Sequence, residues 1–271
     1  MILKRSSFLK FGCAFVICCA LTGKTTVFAQ ETQAPTTTTI EAPDSMRLFL
    51  LIGQSNMAGR GKVEPQDEVT NPHIWMLTKD LKWVLAKDPL HFDKPAAGVG
   101  LASEFARVLV KTDPNINIGL IPSAFGGTSL DQWNPKGTLY KDAVARTKEA
   151  LKKGKLAGIL WHQGESDSGA APAIVAKLAT YPERFETMIA QLRKDLNAPD
   201  VPVIIGELGQ FRPLNEPVNA LMPELTRLVP NCTLVTSEGL EDKGDKLHFS
   251  SAALRTFGQR YAAAYLKATG K

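Results

Sequence analysis

The sequence lacks several patterns that would point to common classes of protein. Of its four cysteines, three lie in the first 29 residues, so that only Cys232 remains beyond them and no intramolecular disulfide can form there. The few histidines and cysteines show no ligand spacing, which argues against a zinc site or any other resident metal. Beyond residue 29 no run of about 18 or more apolar residues occurs, and no transmembrane helix is predicted.

Motifs for nucleotide and nucleic-acid binding are also missing. The glycine pair at 126–127 is not followed by Lys-Ser or Lys-Thr, as in a phosphate-binding loop, and the chain has no Rossmann triple-glycine spacing. The formal net charge is +5. Residues 1–29 hold four basic residues and no acid, so the charge falls to +1 beyond them. With no clustered Lys/Arg stripe elsewhere, nucleic acid is not an expected partner.

The first 29 residues have the layout of a secretory signal peptide. Lys4, Arg5 and Lys10 precede an apolar run at 11–21, and small residues precede a predicted cleavage site before Gln30. The apolar run is too short to span a bilayer as a stable helix. We therefore expect an exported protein, periplasmic or extracellular, with no membrane anchor after the signal is removed.

The rest of the chain divides into a leader and one domain. Residues 30–45 are rich in Thr and Pro and predict a flexible leader. Residues 46–271 alternate short apolar runs with helical periodicity, which predicts a three-layer α/β/α, flavodoxin-like domain with a parallel sheet of about five strands. The predicted strands are 47–52, 116–122, 156–161, 201–206 and 233–236. The predicted helices are 100–111, 139–152, 173–196, 216–228 and 250–267. The segment 74–90 suggests a small additional hairpin.

Ligands of open parallel sheets bind beyond the carboxyl ends of the strands, so the residues that follow the apolar runs are the candidates for chemistry. After the first run, GQSNMAG at 53–59 puts Ser55 on a predicted tight strand-to-helix turn. Taken alone, this serine could equally cap the following helix. After the second run, Gly126 and Gly127 would leave backbone N–H groups free to face an oxyanion, although an ordinary turn also fits.

Two later segments add polar groups to the same predicted edge. WHQGESD at 161–167 offers the Gln163 side-chain amide as an oxyanion donor, while His162 and Glu165 could be catalytic or could brace the loop, with bracing favoured. Asp245 and His248 lie three positions apart before the last helix. A histidine that acts as a general base needs its other ring nitrogen held by a carboxylate, and this spacing allows it.

These blocks together resemble the SGNH-hydrolase superfamily, and within it the sialate O-acetylesterase-like proteins and carbohydrate esterase family 6, which includes acetylxylan esterases. The resemblance is carried by GQSNMAG at 53–59, SAFGGT at 123–128, WHQGESD at 161–167 and DKLH at 245–248. It spans about residues 46–267, and the four blocks in this order are far more specific than any one of them.

The resemblance implies a serine esterase that removes O-acetyl groups from a carbohydrate such as acetylxylan, through an acetyl-enzyme and without a cofactor. Ser55 would be the nucleophile, His248 the base and acid, and Asp245 the residue that orients His248. The oxyanion hole would use the N–H groups of Ser55 and Gly126 and the side chain of Gln163, with the choice between Gly126 and Gly127 open. Gln54, Asn56, Gly127 and Glu165 would brace the site or bind substrate.

Other functions are compatible with the same residues. The chain could deacetylate sialic acid or hydrolyse a wider range of short-chain esters. A protein of another class, a catalytically silent carbohydrate-binding domain, could share the fold, because fold alone does not establish activity. The presence of Ser55, Gln163, Asp245 and His248 together argues against that reading. The oligomeric state is not predicted.

Overall fold

The computed structural model describes residues 41–271. The predicted signal peptide at 1–29 and most of the predicted leader lie outside the described residues, so export stays a prediction. Within residues 41–271, no helix combines the length and apolar character needed to cross a membrane. The same part of the chain contains no cluster of three or more His, Cys, Asp or Glu side chains placed to hold a metal ion.

The centre of the molecule is a seven-stranded sheet in the order β3-β2-β4-β1-β5-β6-β7. All neighbouring strands are parallel except β2 and β3, which form an antiparallel hairpin. The strands are β1 (Met46–Gly53), β2 (Ile74–Leu77), β3 (Trp83–Leu85), β4 (Ile118–Pro122), β5 (Gly154–His162), β6 (Val203–Gly206) and β7 (Cys232–Val235).

The three-layer α/β/α class is confirmed, but the predicted number of strands was wrong. The five predicted strands correspond to β1 and β4–β7, and the hairpin β2–β3 adds two more at one edge. The hairpin belongs to the sheet because β2 pairs in parallel with β4, which puts all four residues of β2 in the buried interior.

Helices cover both faces of the sheet. They are α1 (Ser55–Ala58), α2 (Leu101–Thr112), α3 (Thr138–Ala150), α4 (Pro172–Leu178), α5 (Tyr181–Asp195), α6 (Glu216–Asn219), α7 (Met222–Leu228) and α8 (Ser251–Ala268). The predicted helices 173–196 and 216–228 are each split in two. Pro182 and Pro223 lie in the first turns of α5 and α7, where proline is tolerated, whereas a proline inside one continuous helix would remove a hydrogen bond and clash.

Two hydrophobic clusters hold these layers together. On one face Phe49 packs edge-on against Phe105 of α2 and Tyr265 of α8. On the other face Trp161 packs against Trp133 and Phe185 of α5. Both tryptophans are 0% exposed, so they belong to the core and not to a sugar-binding surface. Strand β1 is buried on both sides, as expected for a central parallel strand.

The register of the central strands sets the position of the site. Gly53 at the end of β1 is opposite His162 at the end of β5, and the Phe125 N–H beyond β4 donates to the Gly53 carbonyl. The turns after β1, β4 and β5 therefore meet at one edge. Gly53 has φ +132°, and a Cβ there would collide with the His162 carbonyl oxygen, so this close approach requires glycine.

Candidate active site

Ser55 begins helix α1 directly after β1. The Gln54 carbonyl accepts the N–H groups of Met57 and Ala58, while the Gln54 N–H donates to the His162 carbonyl. This turn is fixed at both ends, and Ser55 is 6% exposed. Its own N–H lies in the first turn of a helix, where backbone donors have no intrahelical acceptor. The side chain of Gln54 is buried beside the turn, and its Oε1 has no hydrogen-bond partner among residues 41–271.

The structure brings Ser55, His248 and Asp245 together. His248 Nε2 lies 3.1 Å from Ser55 Oγ, and His248 Nδ1 lies 2.7 Å from Asp245 Oδ2. The arrangement fits the tautomer in which Nδ1–H donates to the carboxylate and Nε2 accepts the serine proton, which is an assignment from the hydrogen bonds. Such a chain can transfer the hydroxyl proton to the imidazole as the serine oxygen attacks a carbonyl.

Asp245 is held in its charged form by its own loop. Its Oδ1 accepts the N–H groups of Leu247 and His248 at 3.0 and 2.8 Å. Partial burial opposes ionisation, but these N–H groups and the His248 ring together lower the pKa of Asp245 to about 2. The carboxylate is therefore charged throughout the neutral range, and it can stabilise an imidazolium on His248.

Asn56 connects the His248 segment to the loop after β5. Its Nδ2 donates to Glu165 Oε1 at 2.5 Å and to the Leu247 carbonyl at 3.2 Å, and its Oδ1 accepts the Phe249 N–H at 3.1 Å. The residues on both sides of His248 are thus tied to the turn that carries the serine. Glu165 is 4% exposed, which supports bracing as the role of both Asn56 and Glu165.

The structure does not place Gln163 as a free oxyanion donor. Its Nε2 donates to the Thr128 carbonyl at 2.9 Å and to Asp167 Oδ2 at 2.6 Å, and its Oε1 accepts the Tyr181 hydroxyl at 3.0 Å. Both amide hydrogens are used inside the protein and the residue is 0% exposed. In this structure Gln163 therefore connects the loops after β4 and β5, and its predicted oxyanion role stays a prediction that requires the amide to exchange one of these partners.

Gly126 lies next to Ser55, but its N–H already has an acceptor. A Cβ at Gly126 would be 3.3 Å from the Ser55 Cβ, and the Gly126 N–H donates to Asp93 Oδ2 at 2.9 Å. Asp93 is paired with Arg60 at 2.5 Å, and both side chains are almost fully buried. The neighbouring Gly127, with φ +82°, has an N–H with no acceptor among residues 41–271.

Arg60 and Asp93 are site residues that the sequence interpretation missed. Burial opposes the charge on Asp93, but hydrogen bonds from Arg60 and the Gly126 N–H lower its pKa overall. Arg60 directly follows the GQSNMAG block, and that adjacency could have drawn attention to it. Asp93 comes from an irregular segment with no motif, so nothing in the sequence connected it to Ser55.

His162 does not reach the serine. Its ring is fully buried between Phe249 and Phe257, and its Nε2 lies 3.2 Å from the Glu207 carbonyl oxygen. Its Nδ1 is 3.7 Å from Glu165 Oε1, too far for a hydrogen bond. Burial lowers the pKa of His162, so this imidazole is neutral and structural, as favoured from the sequence.

Comparison of sequences finds related carbohydrate esterases. Residues 45–267 match the family described as "Carbohydrate esterase, sialic acid-specific acetylesterase". A probable carbohydrate esterase of Arabidopsis thaliana is 34% identical over 241 residues, which cover 81% of this chain and 90% of the relative. A probable 9-O-acetyl-N-acetylneuraminic acid deacetylase of Escherichia coli (strain K12) is 25% identical over 238 residues, 66% of this chain and 72% of that protein.

Comparison of structures finds solved proteins with the same fold. The crystal structure of an Arabidopsis thaliana protein superposes with a TM-score of 0.75 at 33% identity, covering 83% of this chain and 98% of the other. The crystal structure of NanS superposes with a TM-score of 0.68 at 21% identity, covering 84% and 98%. At that identity, NanS supports the shared fold and nothing more.

Proposed function

The chain belongs to the carbohydrate esterase family of sialic acid-specific acetylesterases and is a carboxylic ester hydrolase for O-acetylated carbohydrate; we propose that its chemistry uses Ser55, His248 and Asp245. The observation that carries this proposal is the continuous hydrogen-bond chain from Asp245 Oδ2 through the His248 ring to Ser55 Oγ, with distances of 2.7 and 3.1 Å.

The reaction follows from this geometry in two steps. His248 Nε2 removes the Ser55 proton as Oγ attacks the acetyl carbonyl, and the imidazolium then protonates the departing sugar oxygen. Water, activated by the same nitrogen, hydrolyses the acetyl-enzyme and releases acetate. Asp245 keeps the ring in the required tautomer and stabilises its positive charge through both steps.

For the oxyanion, we assign the Ser55 N–H as the first donor, because it begins a helix and lies on the residue that attacks. Gly126 can contribute only if the acyl oxygen shares its N–H with Asp93 or displaces that carboxylate. The Gly127 N–H is the alternative second donor, since it has no acceptor within the described chain. Donors of this kind typically supply about 3 kcal/mol each to the transition state.

The first test is hydrolysis of p-nitrophenyl acetate by the wild type, Ser55→Ala and His248→Ala. Each substitution is expected to lower kcat by about a thousandfold or more. A serine-reactive phosphonate should label the wild type at Ser55 and leave Ser55→Ala unlabelled. An inactive wild type that is not labelled would support the catalytically silent carbohydrate-binding protein, and unchanged turnover by Ser55→Ala would move the nucleophile elsewhere.

The acetylated glycan is the finer part of the proposal. The sequence resemblance pointed to acetylated xylan or a similar acetylated glycan, whereas the family description and the name of the Escherichia coli relative favour O-acetylated sialic acid. We propose these two as the candidate substrates. Release of acetate from acetylated xylo-oligosaccharides and from 9-O-acetylated sialic acid, measured side by side, separates the two. Faster turnover of octanoyl than of acetyl esters would contradict both.

A further inference from the structure

A cavity of about 310 Å³ lies beside the proposed catalytic serine, beyond the carboxyl ends of β2 and β4. Phe125, which lines it, directly precedes Gly126, and Asp93 lines it while accepting the Gly126 N–H. The cavity and the catalytic centre therefore share a wall. The volume lies at the lower end of the range for small-molecule sites, and nothing in the chemistry of Ser55, His248 and Asp245 uses it.

Two aromatic side chains at this cavity are unusually exposed. Phe92 is 41% and Phe125 is 40% exposed, although most large apolar side chains of the domain are buried. The guanidinium of Arg146 lies 4.8 Å from the centre of the Phe92 ring, and the Lys94 amine lies 5.8 Å from the centre of the Phe125 ring. The neighbouring cations hold the rings at the cavity, and each ring keeps surface available for contact.

Two uncharged polar residues, His91 and Ser123, also line the cavity. His91 is 4% exposed, and burial, the main cause, lowers its pKa to about 4, so the ring is neutral. These residues add polar groups to the wall beside the two aromatic rings.

The walls of the cavity also carry charged groups of both signs. Lys79 offers an amine and Asp142 a carboxylate at the same cavity. A sugar hydroxyl both donates and accepts hydrogen bonds, and a pyranose ring presents apolar C–H faces to aromatic rings. A long acyl chain would remove water from Lys79 and Asp142 without offering them hydrogen bonds. The combination therefore fits a sugar ring better than a fatty acyl group.

We propose that this cavity binds a second sugar residue of the substrate, so that the protein acts on acetyl groups of oligosaccharides or polysaccharides in preference to free monosaccharides. The sugar ring next to the acetylated residue contacts Phe92 and Phe125, and its hydroxyls bond to the polar side chains of the cavity wall, such as Lys79 and Asp142. This inference rests on the proposed esterase function and adds the size of the substrate to it.

The test measures kcat/KM on paired substrates. In the xylose series these are an acetylated methyl xyloside and an acetylated xylotriose; in the sialic acid series, 9-O-acetylated sialic acid and its lactoside. In the series that the wild type accepts, the oligosaccharide should be favoured about tenfold. Phe92→Ala and Phe125→Ala should each reduce that preference about 2- to 10-fold, chiefly through KM, as expected for loss of one aromatic contact.

Two controls make the result specific. Phe125→Tyr keeps the aromatic ring and should retain the preference. Val69→Ala removes another exposed apolar side chain, 65% exposed, and should change nothing. Equal kcat/KM for short and long substrates, or an equal loss on all substrates in the variants, would overturn the subsite.

Failure of the esterase proposal gives a different result. A wild type that is inactive on every acetyl ester contradicts the function but still allows calorimetry of the deacetylated oligosaccharide with Ser55→Ala protein. Binding that weakens about 2- to 10-fold in Ser55→Ala/Phe125→Ala supports the subsite independently of turnover. Absence of binding in Ser55→Ala itself overturns it.

Discussion

Within residues 41–271, two acid–histidine pairs lie three residues apart in sequence and within 4 Å in space, and only one of them is placed for proton transfer. Asp245 and His248 are partly exposed and joined at 2.7 Å, and His248 Nε2 lies 3.1 Å from Ser55 Oγ. His162 and Glu165 are almost fully buried and separated by 3.7 Å. The two pairs are linked through Asn56, which bonds to Glu165 and to both neighbours of His248.

The difference lies in the surroundings and not in the residue types. His162 is packed between aromatic rings, so burial disfavours its charged form and the ring cannot usefully hold a proton. His248 has a charged carboxylate on one nitrogen and a hydroxyl on the other. A spacing of three residues therefore identifies a candidate pair, while solvent access and hydrogen bonding decide whether the pair does chemistry or braces a loop.

Replacing the two histidines should give the largest contrast. His248→Ala is expected to lower kcat on p-nitrophenyl acetate by about a thousandfold or more, with little change in stability because the residue is partly exposed. His162→Ala should keep most activity per folded molecule but lower the free energy of unfolding by about 2–4 kcal/mol, as for other buried large-to-small changes. Steady-state kinetics and urea unfolding measure both; a stable but inactive His162→Ala would reverse the assignment.

Replacing the two acids should give the next largest contrast. Asp245→Asn keeps the size of the side chain but removes its charge, and it should lower kcat by up to about 10⁴-fold. Glu165→Gln retains an oxygen for Asn56 and should lower kcat no more than about tenfold, in keeping with a bracing residue. The ratio of the two kcat values is the measurement, and equal losses would show that Glu165 also acts on the reacting groups.

Removing the link between the pairs should have a moderate effect. Asn56→Ala deletes the bonds to Glu165, Leu247 and Phe249, so His248 is expected to lose its alignment and kcat to fall about 10- to 100-fold with KM little changed. The free energy of unfolding should fall by about 1–3 kcal/mol because buried partners lose their bonds. Asn56→Gln offers the same groups at a longer reach and serves as the matched variant; a change confined to KM would indicate direct substrate binding instead.

The smallest expected difference between the two pairs is in how the free energy of unfolding depends on pH. The folded-state pKa of Asp245 is lowered from 3.8 to about 2, so its contribution is full above about pH 4 and is lost as pH falls toward 2. The pKa of His162 is lowered from 6.5, so stability is lost already as pH falls below 6.5, where only the unfolded chain gains the proton. Urea unfolding of Asp245→Asn and His162→Gln against pH checks the two windows, and each variant should flatten only its own.

Much of the fold was predictable from sequence because buried parallel strands are continuous apolar runs. All five such runs became strands. The segment 74–90 suggested only a small additional hairpin, and its strands join the main sheet because β2 pairs with β4 and β3 pairs with β2, which is a tertiary effect. The break at Thr180 between α4 and α5 was missed because helical periodicity continues across it, although Pro182 carried the local signal.

The site was predictable where its chemistry lies within motifs. Ser55, Asp245 and His248 were singled out by their blocks, and the structure brings them within hydrogen-bond reach. The acceptors that hold Gln163, Thr128 and Asp167, could not be foreseen because only packing brings them to its side chain. Asp93 was missed because a residue from an irregular segment becomes part of the site through contact with Gly126, and sequence separation hides such contacts.

Gly53 has a practical consequence for anyone who wishes to alter this protein by directed evolution. The His162 carbonyl occupies the space that a side chain at position 53 would need. A saturation library at this position should therefore return only glycine among active clones, whatever substrate is used for selection. Positions 92 and 125 are better targets for such a library, because their rings are partly exposed and their replacement leaves the strand spacing beneath Ser55 unchanged.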